Sequence, residues 1–360
     1  MSDSRLDQLR KGIDSLDEEI QELLNKRAES AQLVAEAKRS EGDDTDFYRP
    51  EREAAVLRRV RERNQGPLSD EEVVRLFREI MSACLALEKP LTIAYLGPEG
   101  TYSQAATLKH FGHSVKLKPL AAIDEIFREV EAGSADYGVV PVENSSEGAI
   151  SQTLDMFIRS PLKICGDVEL RIHHQLLTKA GNLEGIKCVR AHQQSLAQCR
   201  EWLDANLPGV ERVAVSSNAE AARLAREDST IAAIASDAAA EMYALGTLAE
   251  NIEDEPNNTT RFLVIGDQEV EPSGSDKTSL MVAAHNRAGA LYALLEPISR
   301  HGVSMTRIES RPSRVSKWDY VFFLDVEGHA RDHNVAAALD ELVLTAAQLK
   351  VLGSYPKCEL

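Results

Sequence analysis

The chain has 360 residues, enough for two or three domains, and its 43% hydrophobic and 28% charged content is that of an ordinary globular protein. A formal net charge of -17, from 58 acids against 41 Lys and Arg, argues against nucleic acid as a main partner. No apolar run approaches about 18 residues, the opening MSDSRLDQLR does not read as a signal peptide, and five cysteines without CxxC spacing predict thiols in a reducing cytoplasm. Neither HExxH nor GxGxxG occurs, so no metal or dinucleotide cofactor is expected.

Leu6, Leu9, Ile13, Leu16, Ile20 and Leu23 recur every three or four residues and predict one amphipathic helix from Ser4 to about Ser40. Continuing that face meets Arg27 and Lys38, about 20° apart on the helical wheel. Neighbouring acids, side chains snorkelling to water, or an anionic ligand would each answer two cations in an apolar seam. Arg10 lies about 25 Å back along the axis and about 100° round it, placed to reach a pocket on a second chain. Asp43, Asp44 and Thr45 break the helix. A second helix begins at Pro50 and runs to about Arg63, Gly66-Pro67 follows, and Ser69 with Glu72 forms a capping box for a third helix ending at Glu88. A helix this long in so short a segment has no core of its own and predicts pairing with another copy.

Residues 5 to 89 resemble the all-helical chorismate mutases fused to aromatic-pathway enzymes. The resemblance implies an all-α three-helix domain forming an intertwined dimer. It places substrate-binding residues at Arg10, Arg27, Lys38, Arg49, Arg52, Glu53, Cys84 and Glu88, with Arg10 lent to the partner's site. Chorismate, a dicarboxylate, rearranges without covalent help. It needs cations for its carboxylates, a partner such as Glu53 for its ring hydroxyl, and a donor facing the ether oxygen. Lys38 and Glu88 are the catalytic candidates. The family often has Gln at position 88, and a Glu donates only when protonated, so mutase activity is expected to fall as pH rises. Arg49 stands where Asp is common and Cys84 where Ser is common.

After Pro90 the rhythm changes to alternating strands and helices. Thr92–Leu96 reads as a strand leading into GPEGTYS and a helix from Gln104, a turn whose backbone N–H groups could take a carboxylate. Tyr137–Val140 is a strand entering PVENSSEG. Leu170–Thr178 and Ile231–Ala235 read as buried strands of a second lobe, and Phe262–Ile265 as the last strand, after NNTTRF. The pattern predicts an open α/β architecture with a cleft between lobes. GPEGTYS, PVENSSEG, HQQSLAQC and TTRF, in this order, resemble prephenate dehydratase across the segment. That resemblance implies Thr260 as the essential hydroxyl and Glu143 as an acid or orienting group. It also implies substrate contacts from Thr101, Ser103, Asn144 and Gln198, and Arg261 as a carboxylate anchor.

Asp267 to Asp276 reads as a linker. Strand Ser279–Ala284, helix Ala288–His301, strand Val303–Ser310, strand Trp318–Val326, helix Asn334–Thr345 and strand Gln348–Leu352 follow in ferredoxin-like βαββαβ order. The segment resembles an ACT regulatory domain. Gly289, Ala290 and Leu291, with Glu309, Ser310 and Arg311, match that family's amino-acid-binding motifs, which implies phenylalanine as a feedback inhibitor bound at a seam between copies. The expected domains are therefore 1–90 (mutase), 91–267 (dehydratase) and 277–360 (ACT). They would form a homodimer or larger homo-oligomer acting on chorismate and prephenate in the cytoplasm, with no membrane partner. A catalytically silent ligand sensor is the alternative from another class, disfavoured by Thr260, Arg27 and Lys38. A mutase fused to prephenate dehydrogenase would need the missing nucleotide motif.

Overall fold

The computed structural model describes residues 5–40, 48–284, 287–312 and 320–358. The expected helix break at Asp43–Thr45 and the strand start at Trp318 lie outside them. The chain divides into two compact units, one of residues 1–49, 56–91 and 111–116, the other of residues 50–55, 92–110 and 117–360.

The first unit is built on helices α1 (Arg5–Ser40), α2 (Pro50–Arg63, whose first turn groups with the second unit) and α3 (Asp70–Glu88). Pro50 supplies the fixed first-turn φ of α2, and the Ser69 side chain accepts from the Glu72 N–H to start α3. Only Ala35 of α1 is buried. Leu9, Leu16 and Leu23 stand 60%, 57% and 64% exposed, so the apolar stripe of α1 is uncovered within one chain.

In the second unit the elements run β1 (Thr92–Leu96), α4 (Tyr102–Phe111), β2 (Lys116–Leu120), α5 (Ile123–Glu131), β3 (Tyr137–Asn144), β4 (Gly148–Ala149), α6 (Ser151–Arg159) and β5 (Lys163–Arg171). Then come β6 (Gln175–Thr178), β7 (Cys188–His192), α7 (Gln193–Gln198), α8 (Arg200–Asn206), β8 (Glu211–Val215), α9 (Asn218–Glu227), β9 (Ile231–Ala235), α10 (Asp237–Tyr243), β10 (Gly246–Ala249) and β11 (Thr259–Gly266). The chain ends with β12 (Asp276–Ala284), α11 (Ala290–Arg300), β13 (Met305–Pro312), β14 (Tyr320–Glu327), α12 (His333–Thr345) and β15 (Gln348–Pro356).

Two sheets, ordered β2-β1-β3-β11-β5 and β10-β6-β9-β7-β8, form the two α/β lobes. The expected single strand Leu170–Thr178 is corrected here. It breaks at residues 172–174, so Leu170 and Arg171 close β5 in the first sheet while Gln175 opens β6 in the second. The break is held by the Glu253 carboxylate, which accepts from the His174 backbone N–H at 2.9 Å. The third sheet, β13-β14-β12-β15, has the ferredoxin-like strand order. One face packs Leu280, Val282, Leu324 and Val326 under Leu294, Ile298, Val335 and Leu342 of its two helices. The other face sends Met281, Phe323, Leu352 and Tyr355 into one core with Val142, Phe157, Ile164 and Leu263 of the first lobe. At Gly353 the two backbones approach so closely that a Cβ would overlap the Ile164 carbonyl.

Candidate active sites

In the helical unit, Arg27 and Lys38 of α1 are half-buried and Glu88 is the last residue of α3. Burial pushes the Glu88 carboxyl above the usual carboxylate range, against the opposing fields of Lys38, Arg39 and Arg27. The Arg39 guanidinium also donates to the Glu88 carbonyl oxygen at 2.8 Å. Two of the expected cations and the expected acid are thus brought together. Cys84 is buried one turn before Glu88 on α3. Arg49 caps α2 through an extended backbone, without a side-chain cap bond. Arg52 and Glu53 lie in the first turn of α2. Arg10 is exposed far up α1 and is not gathered with Arg27 and Lys38 in its own chain.

The second unit holds a cavity of about 520 Å³ lined by Thr101, Ser103, Asn144, Gln198 and Thr260, among others. These five expected residues, scattered over 160 positions of sequence, are brought to one place. The register of β3 against β11 sets Asn144 opposite Thr260. The Asn144 side-chain oxygen accepts from the backbone N–H groups of Ser146 and Glu147 at 3.1 and 3.2 Å. Those partners can only donate, so the other end of the amide must be the NH2. It donates to the Thr260 Oγ1 at 2.9 Å and to the Asn258 Oδ1 at 2.8 Å. With Oγ1 already accepting, the Thr260 proton is left to point elsewhere, and the cavity is the open direction.

Glu143 and Arg261 do not line the cavity, and the reason is the period-2 alternation of strands. They are register partners of each other, next to Asn144 and Thr260, and so project from the opposite face. There Arg261 pairs with Asp167 at 3.0 Å and Asp325 at 2.5 Å, and Glu143 with Arg307 at 2.7 Å. The structure thus places the expected carboxylate anchor Arg261 and the expected acid Glu143 in ion pairs outside the cavity rather than on its wall. Among the described residues, no Lys or Arg lines the cavity. A dicarboxylate would instead meet hydroxyls and the N–H-rich starts of α4, α9 and α10, where Ser103, Asn218 and the α10-capping Ser236 face the space.

The sequence reading missed Tyr102 and His174, which also line it. The Tyr102 hydroxyl sits 2.6 Å from the His173 carbonyl oxygen and 3.0 Å from the His174 Nδ1. The Gln198 Oε1 faces the His174 Nε2 at 2.9 Å and can only accept, so on a neutral ring Nε2 carries the proton and Nδ1 accepts, which leaves the Tyr102 hydroxyl as donor to both of its neighbours. Burial lowers the His174 pKa, which keeps that ring neutral. The bond from Nε2–H to the Gln198 Oε1 fixes the direction of the Gln198 side chain. Of the candidate amino-acid-binding residues, Gly289 caps α11 at φ 79, a left-handed value suited to glycine, and Leu291 is exposed. Ala290 opens α11 half-buried; Glu309 is half-buried beside the exposed Ser310, while Arg311 is taken by Ser151 and Asp155 of α6.

A helical anion site, a two-lobed α/β cleft with hydroxyl and amide donors, and a ferredoxin-like domain define a multidomain enzyme for small carboxylates. Family models agree: chorismate mutase type II matches residues 9–89, prephenate dehydratase 93–270 and the ACT domain 278–344. The chain is 58% identical over 360 residues to the bifunctional chorismate mutase/prephenate dehydratase of Stutzerimonas stutzeri, covering 99% of each. It is similar to the solved prephenate dehydratase from Arthrobacter aurescens in complex with L-Phe, with TM-score 0.69 and 35% identity over 74% of this chain and 90% of that one. A structure described as GqqA, a novel type of quorum quenching acylase, gives TM-score 0.68 and 31% identity over 74% of this chain and 98% of that one. The fold alone hosts more than one activity, so the full-length relative carries the assignment. The chain belongs to the bifunctional chorismate mutase/prephenate dehydratase family.

Proposed function

We infer that this chain converts chorismate to prephenate and prephenate to phenylpyruvate, and that phenylalanine restrains it. For the first reaction the reading assigns Arg27 and Lys38 to the substrate carboxylates and Arg10 to the site of a second copy. Lys38 and protonated Glu88 share the ether oxygen, where negative charge grows as the C–O bond breaks. Arg49, Arg52, Glu53 and Cys84 complete that site.

For the second reaction, prephenate loses CO2 and its ring hydroxyl. The carboxylate C–C electrons flow into the ring as the hydroxyl departs, and aromatisation drives the step. Thr260 donates its hydrogen bond to the departing oxygen, Asn144 keeps that proton aimed, and Gln198, Thr101 and Ser103 hold the substrate. The observation that carries this assignment is the Asn144 amide, whose direction is fixed by two backbone donors. The reading needs no cofactor.

The proposed domains are 1–90, 91–267 and 277–360, and the exposed apolar face of α1 supports a homo-oligomer built on that helix. Free-thiol chemistry supports a cytoplasmic location, since none of the five cysteines forms a disulfide. Phenylalanine is assigned to the ACT segment at Gly289, Ala290, Leu291, Glu309, Ser310 and Arg311. Purified protein given chorismate should accumulate prephenate and then phenylpyruvate, and added phenylalanine should slow the second step. Chorismate left unconsumed, or prephenate left unchanged, would remove one activity from the assignment.

A further inference from the structure

The face of the β3–β11 pair turned away from the cavity carries a cluster of three cations and three acids. Arg261 reaches Asp167, Asp325 and the Tyr355 hydroxyl; Lys277 reaches Asp167 at 2.9 Å; Arg307 reaches Glu143 at 2.7 Å. Ser279 donates to the second oxygen of Asp325 at 2.5 Å. The side chains of Asp167 and Asp325 are 0% and 6% exposed, and those of Arg261 and Arg307 11% and 13%. Charges this deep persist only when balanced, so deleting one strands its partner. Lys277, Ser279, Arg307, Asp325 and Tyr355 come from the ferredoxin-like domain; Glu143, Asp167 and Arg261 come from the first lobe.

Within the cluster the hold on Glu143 is the thinnest. Its Oε2 meets the Arg307 Nε at ion-pair distance, but that N–H is out of line for a hydrogen bond, and the Arg307 Nη2 has no partner among the described residues. Arg261 by contrast is gripped at three atoms. Glu143 is bonded directly to Asn144, the residue that aims Thr260. Rotation or sliding of β3 at Glu143 must therefore move the Asn144 amide.

We propose that Arg307 is a positioning residue for the dehydratase reaction: from the ferredoxin-like domain it pins Glu143, and so fixes Asn144 against Thr260. This rests on Asn144 and Thr260 being the dehydratase site. Arg307 touches no substrate, so its loss should lower kcat while leaving KM nearly unchanged. The experiment measures both constants, with mutase rate and thermal melting on the same full-length preparations, for wild type, Arg307→Met, Arg307→Lys, Glu143→Gln and the Glu143→Gln/Arg307→Met double variant. Expected is a fall of about tenfold in dehydratase kcat for each of Arg307→Met and Glu143→Gln, about 1.4 kcal/mol in barrier, with partial recovery in Arg307→Lys. The double variant should lose no more than either single one, because both break the same link.

Asp155→Asn removes another ion pair made by β13, Arg311–Asp155 at 2.9 Å, without touching Glu143, and should stay within about twofold of wild type. Arg307→Met within twofold of wild type, an equal loss in Asp155→Asn, or additive losses in the double variant would each overturn the proposal. Should Arg307→Met not fold, Glu143→Gln against Arg307→Lys decides it: a full-rate Glu143→Gln overturns it. Thr260→Ala is measured alongside. If that variant keeps its dehydratase rate, the assignment of the site has failed rather than the link from Arg307.

Discussion

Replacing Asn144 by Asp tests the aim of Thr260 with almost no change in shape. In the native site the Asn144 NH2 donates to Thr260 and its oxygen accepts from two backbone N–H groups. A carboxylate keeps the second role and reverses the first, because it can only accept. The Thr260 proton would then turn to that carboxylate and be withdrawn from the departing hydroxyl. Loss of one donor aimed at developing charge costs about 100- to 1,000-fold in kcat, roughly 2.7–4 kcal/mol. Asn144→Ala is the instructive contrast. It leaves the Thr260 hydroxyl to sample three staggered positions, worth only about 0.6 kcal/mol of lost order, plus the disturbance of the turn at Ser146.

The account therefore orders dehydratase kcat as wild type, then Asn144→Ala, then Asn144→Asp. The fold should tolerate Asn144→Asp, since the Asn258 Nδ2 is buried without a partner among the described residues and can turn towards the new carboxylate. Lowering the pH should restore part of that variant's rate, because the introduced carboxyl, once protonated, donates again. Steady-state phenylpyruvate formation across pH, with melting curves as a control, measures this. An Asn144→Asp enzyme as fast as Asn144→Ala at neutral pH would refute the reasoning.

Other consequences follow from the same geometry. Glu88 has a raised pKa through burial and must donate, so mutase activity should be present below that pKa and fall as pH rises through it; Glu88→Gln should flatten the profile, and a wild-type profile already flat between about 5 and 8 would count against the role. Gly353→Ala drives a Cβ into the Ile164 carbonyl, and should destabilise the second unit by about 1–3 kcal/mol, read as a lower denaturant midpoint for that unit. Leu16→Asp places a charge on the uncovered stripe of α1; analytical ultracentrifugation should show weakened self-association with mutase activity falling in step, whereas unchanged mass would dismiss α1 as the contact.

Much of this was legible in the sequence, for physical reasons that differ by element. The periodicity of α1 and the Ser69 cap encode helices locally. Thr101, Asn144, Gln198 and Thr260 were recoverable because each lies in a motif at one end of a strand or helix, where the chain borders the cavity. Glu143 and Arg261 lie on the other face of the strand pair from Asn144 and Thr260, a separation that strand alternation encodes. Their charges invited a substrate role, and the partners that explain them come from far along the chain, Asp167 in the first sheet and Asp325 and Arg307 in the third. His174 escaped notice because Leu170–Thr178 reads as one continuous strand. Nothing in such a run marks where a chain leaves one sheet for another. The Asn144 amide is oriented by the local Ser146 and Glu147 N–H groups, but its donation to Thr260 joins residues 116 positions apart and could not be read from pattern.

The central claim is that one chain carries two chemically separate sites, and complementary loss tests it most directly. Lys38→Ala and Thr260→Ala are each given chorismate and, separately, prephenate. The account predicts that Lys38→Ala leaves chorismate unconsumed yet turns supplied prephenate into phenylpyruvate at the wild-type rate, while Thr260→Ala converts chorismate and stops at prephenate. If either single substitution abolished both conversions in a chain that still melts like wild type, the two-site account would be contradicted.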